Sequence, residues 1–323
     1  MKMLTMILVT MVFQLTHAAP LGQLTYGEAA STLTLERLEA AYVAMNAVTE
    51  TTLPHETKDT RKQILAAREM LDLFAYSFES GKDYARIRNK LDEGYEAIGH
   101  FKDLFDSQGI EEPEQAKYDQ KQVRIHRHEV LAWKQNFFEL KKDFVNFVTN
   151  VRTAGASEHK KKDLSTQFWG VSDTKPKTQD LAQVAIGLLL EDLWKKSVEE
   201  YKVVKGIENP GKDLVNIDMY HDFRKRVRTA VKIINYFDET KALVSEQQLT
   251  ALNEMVGQYG TISDLIARAE LLTLDGKENK AKAVYKQIKT QWDKVQKWEK
   301  EQDLKEVLKS MVDIDFTSQN NQE

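Results

Sequence analysis

The sequence predicts an all-α protein with room for two bundles of helices. Almost every segment after Ala30 places apolar residues three and four apart with strong helix formers between them, and no stretch alternates as a strand would. The chain has only 14 glycines and 5 prolines, with 41% hydrophobic and 30% charged residues, the balance of a packed helical protein rather than a disordered one. At 323 residues it is long enough for one large core or two smaller ones, because domains usually run to about 100 to 200 residues.

The elements follow in order. Met1 and Lys2 lead into an apolar run from Met3 to Leu15, and Thr16-His17-Ala18-Ala19-Pro20 then offers small residues for cleavage. The run is about 13 residues where a membrane span takes roughly 20, so residues 1–18 are predicted to be a cleaved signal peptide and the mature protein to be secreted or periplasmic, without an anchor. Helices are predicted over 33–48, 58–78, 84–105, 114–151, 181–204, 218–237, 245–274 and 277–312. Ser80-Gly81, Gly109 with Pro113, Asn209-Pro210-Gly211 and Asp275-Gly276 separate them, through the missing proline donor or the left-handed tolerance of glycine. The longest irregular stretch, 153–179, is the predicted linker between a first bundle over 30–152 and a second over 180–313, and 314–323 is predicted to be a disordered tail. Trp133, Phe137, Phe138, Phe144 and Phe147 recur at helical spacing with Val130 and Leu140, which predicts core, and Trp194, Trp292 and Trp298 take the same reading.

Composition removes several function classes. With no cysteine there is no disulfide, thiolate metal site, cysteine nucleophile or lipid-modified cysteine. A formal charge of −4, from 46 basic and 50 acidic residues, excludes the overall basic surface of a general nucleic-acid or membrane-surface binder, so any polyanion site is local. His126 and His128 point about 200° apart on a helix and cannot share one ion. Gly94 and Gly99 lack the spacing of a phosphate loop, and the run Glu158-His159-Lys160-Lys161-Lys162 reads as a solvated tether. No nucleophile elbow, Ser-His-Asp order or paired-carboxylate pocket is present, so neither catalysis, a metal nor a cofactor is expected.

One internal repeat carries functional information. Lys58-Asp59-Thr60-Arg61-Lys62-Gln63-Ile64 aligns with His221-Asp222-Phe223-Arg224-Lys225-Arg226-Val227, and at the same offset Ala67, Met70, Leu71 and Phe74 meet Ala230, Ile233, Ile234 and Phe237. Lys102-Asp103-Leu104 falls opposite Ser263-Asp264-Leu265 at nearly that offset. On a helix, His221, Arg224, Lys225, Arg228 and Lys232 share one arc of roughly 100°, and Phe223, Val227, Ala230, Ile234 and Phe237 lie on the opposite one. In the first copy Lys58, Arg61, Lys62 and Arg68 are basic, but Leu65 and Glu69 interrupt the stripe. Such a stripe is either a solvated face, paired with acidic neighbours, or a surface that binds an anion.

The pattern His-Asp-x-Arg-Lys-x-x-Arg at His221 to Arg228, its copy at Lys58 to Leu65, and the downstream 252–272 stretch with Gly260 and Asp264 resemble the CHAD family, the conserved-histidine α-helical domains. The resemblance covers about 33–312. It implies two pseudo-symmetric helical bundles forming one compact unit, whose motif helices line a basic groove for inorganic polyphosphate. Carried onto this chain, it makes His221, Arg224, Lys225 and Arg228 groove residues of the second half, with Lys232 on the same arc. Arg61 and Lys62 become those of the first, flanked by Lys58 and Arg68. Lys58 stands where the family has its histidine. The expectation is thus an exported, non-catalytic binder of polyphosphate or another phosphate-rich polyanion, with no membrane or sequence-specific nucleic-acid partner. The alternative is a CHAD-like scaffold that has lost its anion site and holds a protein partner.

Overall fold

A computed structural model describes residues 21–78, 81–106, 113–150, 175–212, 217–274 and 276–318. The expected leader, most of the linker, the Glu158 to Lys162 run and the last residues of the tail lie outside them. The described residues are helical, with no strand and only an isolated antiparallel bridge between Thr25 and Leu181. Among them, no helix is long and apolar enough to cross a membrane. The chain divides into two compact units, the first holding the helices before the linker together with Lys175–Ala182, the second holding the chain from Gln183 onward.

The first unit contains α1 (Tyr26–Asn46), α2 (Lys58–Leu73), α3 (Gly81–Asp106), α4 (Gln120–Glu139) and α5 (Lys141–Thr149). Helix α1 begins about two turns before the expected start at 33, because Thr25 and Glu28 close a capping box in which each side chain accepts the other's backbone N–H, at 3.2 and 2.8 Å. Helix α2 ends at Leu73 and a short 3-10 turn carries the chain through Ser77, so the expected 58–78 helix is two elements. The expected 114–151 helix also divides: Asp119 caps α4 by accepting from Lys121 N–H at 2.8 Å, and Leu140 interrupts it before α5. Most of its aromatic residues form core as expected, with Tyr42 stacked on Phe137 at 4.1 Å, Trp133 on Phe137 at 4.6 Å, and Phe144 fully buried, whereas Phe138 stays partly exposed. The end of the expected linker belongs to this unit, since Thr178 and Asp180 carbonyls accept the N–H groups of Gly27 and Tyr26 at 3.0 and 2.7 Å.

The second unit contains α6 (Ala182–Val204), α7 (Ile217–Tyr236), the short α8 (Asp238–Ala242), α9 (Glu246–Leu274), α10 (Glu278–Glu301) and α11 (Leu304–Val312). Helix α7 buries Phe223, Val227, Ala230 and Ile234, the arc its sequence assigns to the core, and Phe237, just past its end, is buried as well. Tyr220 stacks on Tyr259 at 5.2 Å, Trp292 meets both rings edge-on, and its indole N–H donates to the Ile207 carbonyl at 2.6 Å. Trp298 departs from the core expectation: it is partly exposed and donates to Glu254. The expected 277–312 helix breaks at Asp303, which adopts φ 46°, a left-handed conformation that aspartate tolerates better than most residues. The tail expectation is also corrected over 314–318. Phe316 is fully buried, its backbone lies against Gly187, and the Ser318 carbonyl accepts from the Gln183 amide, so apolar burial holds a segment whose composition reads as polar.

Candidate anion site

Of the nine expected site residues, five lie on α7. Arg224 and Arg228, one turn apart, are partly buried, and the Nε of each is buried without a hydrogen-bond partner. Neither forms an ion pair with a carboxylate among the described residues. Burial first, and then the adjacent Arg228 guanidinium, push Arg224 below the ordinary arginine value, against the opposing pull of Tyr220 and Asp264. Arginine stays protonated even so, and two half-buried cations therefore lie within electrostatic reach of one another, with no carboxylate at ion-pair distance among the described residues. Space for the Arg224 side chain comes from Gly260 on α9, where a Cβ would lie 3.2 Å from Nη2.

The rest of the stripe frames this pair. His221, partly buried, meets the Tyr220 ring edge-on at 5.5 Å, Lys225 is exposed, and Lys232 is partly buried. Arg226 falls outside the basic arc and faces α6, where Nε and Nη2 grip both oxygens of the buried Glu200 at 2.9 and 2.7 Å. That bidentate pair ties α7 to α6 and matches the Arg226 charge with a buried carboxylate.

On α2 the cations are mostly spoken for. Lys58 is exposed, and Lys62 pairs with Asp59 at 3.2 Å, two exposed side chains whose attraction contributes little. Arg68 donates to Asp92 at 2.5 Å. Arg61 has no carboxylate partner among the described residues; its guanidinium lies 4.3 Å from the Tyr95 ring centroid, and its Nε is buried and unpartnered. It rests on Gly99 of α3, where a Cβ would approach Nη2 to 2.8 Å. At the offset that sets Asp103 opposite Asp264, Gly99 falls opposite Gly260, so in each unit the motif arginine lies over a glycine of the following long helix.

Comparison with known protein families, with curated proteins and with solved structures finds no match. The reading of the site therefore depends on its own geometry.

Sequence reasoning missed the acidic side of the first unit. Asp72 is fully buried, accepts from Tyr84 OH at 2.6 Å and from Arg88 Nε at 2.9 Å, and burial raises its carboxyl above the usual range despite the lowering effects of Arg88, Tyr84 and Arg68. Arg88 also reaches Asp92, at 2.6 Å. The only available signal was Arg88 and Asp92 standing four apart on a helix. Gly94, which sequence spacing sets apart from any phosphate loop, underlies Trp133, whose nearest ring atom would lie 2.2 Å from a Cβ there. An open depression of about 590 Å³ at the start of α4, lined by Gln120, Lys121, Val123, Arg124 and Arg127, includes none of the nine residues. Among the described residues no group of three His, Asp or Glu side chains is arranged to hold a metal.

Proposed function

We propose that this chain is an exported, non-catalytic protein that binds a phosphate-rich polyanion, inorganic polyphosphate by its resemblance to the CHAD family. Arg224 and Arg228 are the central contacts. His221, Lys225 and Lys232 extend the same face, and Arg61, with Lys58, Lys62 and Arg68, forms the counterpart that an ancestral duplication left in the first unit. The observation that carries the reading is the Arg224 and Arg228 pair: two partly desolvated guanidiniums, close enough for one to depress the other, with unpartnered Nε groups and, among the described residues, no carboxylate at ion-pair distance, Asp264 acting on Arg224 only from further away. Such an arrangement costs folding free energy unless an anion completes it. Guanidinium forks match phosphate oxygens two at a time, and a chain of phosphates adds weak lysine contacts along the helix.

The matching position of Arg61 over Gly99 and Arg224 over Gly260 supports the duplication. Long-chain polyphosphate is expected to retard the purified protein in a native gel at low salt, less at high salt, and not at all after Arg224→Glu with Arg228→Glu. An equal polyphosphate-induced shift in wild type and double variant ends this reading. The second reading, a CHAD-like scaffold for a protein partner, draws on the ion pairs that neutralise Lys62 and Arg68. It is the reading left standing if polyphosphate has no effect.

A further inference from the structure

Asp92 of α3 is held from two sides. Arg68 of α2 donates Nη1 to its Oδ1 at 2.5 Å, and Arg88 donates Nη1 to its Oδ2 at 2.6 Å, so each carboxylate oxygen takes one guanidinium. The three side chains are only 16%, 27% and 31% exposed for Arg68, Asp92 and Arg88. Tyr95, one turn further along α3, carries both Arg61 and Arg68 against its ring, at 4.3 and 5.5 Å from the centroid. The Nε groups of Arg61 and Arg68 are buried with no partner. Arg88 is fixed from beneath by the buried Asp72, which Tyr84 holds in turn. The arginines are thus pre-positioned by groups other than Asp92.

A carboxylate gripped in this way presents two oxygens as a phosphoryl group does, but with less charge and no third oxygen. We propose that the first unit contains a latent oxyanion site, formed by Arg68 and Arg88 and suited to phosphoryl ligands, which Asp92 fills as an internal substitute. This rests on the polyanion reading of the second unit, which makes phosphoryl the relevant class. The tethered carboxylate competes at the high effective concentration of an intramolecular group, so the site is silent while Asp92 is present. The two units then differ in one respect: the α7 pair is open and the α2–α3 cluster is closed.

The test uses the full chain carrying Arg224→Glu and Arg228→Glu, so that the α7 site is already disabled, with inorganic pyrophosphate as the probe. Adding Asp92→Ala, which removes the carboxylate and the volume it fills, is expected to tighten pyrophosphate binding, measured calorimetrically at low salt, by about tenfold or more, and adding Arg88→Gln is expected to abolish the gain. If the Ala variant loses helical circular dichroism, Asp92→Ser is the second variant. Pyrophosphate should then raise the melting temperature of whichever variant folds, or restore helicity to both, because a ligand of the folded state stabilises it. Equal affinity with and without Asp92, a gain that survives Arg88→Gln, or variants that pyrophosphate neither stabilises nor refolds would each overturn the proposal. A wild type that ignores polyphosphate sinks the α7 reading alone, because none of these measurements uses Arg224 or Arg228.

Discussion

Glu299 of α10 is 6% exposed, and among the described residues no cation stands at ion-pair distance from it. Its oxygens accept from Tyr259 OH at 2.5 Å and Tyr201 OH at 3.3 Å. Burial raises its carboxyl above the usual range, and the two hydroxyls offset that only in part. A carboxyl whose folded value exceeds its unfolded value binds its proton more tightly in the folded state. Its contribution is therefore fully present below the unfolded value and is lost as pH rises through the folded one. Glu299→Gln keeps an acceptor and cannot ionise. In urea titrations across this range, wild type should lose stability relative to the Gln variant as pH climbs above the ordinary carboxyl value of 4.5, then level off. A difference between the two proteins that does not change with pH would show that Glu299 is paired with something else. The Glu200 and Arg226 pair behaves differently, because there the charge is matched. Glu200→Ala strands a partly buried guanidinium and is expected to lower stability by about 3 to 5 kcal/mol, measurable as a fall in the urea midpoint at unchanged slope.

At the scale of the helix, glycine separates packing from propensity. Gly257 lies exposed on α9 with nothing near its missing Cβ, so Gly257→Ala should stabilise the protein by about 0.5 to 1 kcal/mol, chiefly by restricting the unfolded chain. Gly94 on α3 carries the Trp133 indole, which also donates to the Lys90 carbonyl at 2.8 Å, so Gly94→Ala should cost about 1 to 3 kcal/mol by displacing that ring. Thermal melts of the two variants should move in opposite directions, and a rise for both would mean that Trp133 relaxes freely. The helices themselves were legible in the sequence because an apolar period of three and four is a local signal, and the buried arc of α7 follows directly from it. Breaks at Leu140 and Asp303 were not legible: neither position carries the glycine or proline that marks a break, and tertiary packing sets both. The basic arc correctly left out Arg226, but its partner Glu200 stands on the preceding helix, a contact that periodicity does not encode. The same holds for Arg68 with Asp92, which is why the first stripe reads as basic in sequence and as largely neutralised in structure.

Across the whole molecule, a formal charge of −4 opposes the approach of any polyanion at long range. Binding through a few local cations must therefore overcome that field at close quarters, and its affinity should fall as salt screens the contacts that favour it. General electrostatic attraction would act through basic residues at large, whereas the proposed site acts through one pair of arginines. The direct measurement is a calorimetric titration of long-chain polyphosphate at low salt into three proteins: wild type, Arg228→Gln, and Lys297→Gln, which removes the same charge from an exposed lysine of α10. Wild type and Lys297→Gln are expected to bind alike, and Arg228→Gln to lose most of the affinity. Equal losses from both substitutions, or binding in which Arg228→Gln matches wild type, would contradict the assignment of the anion site to α7.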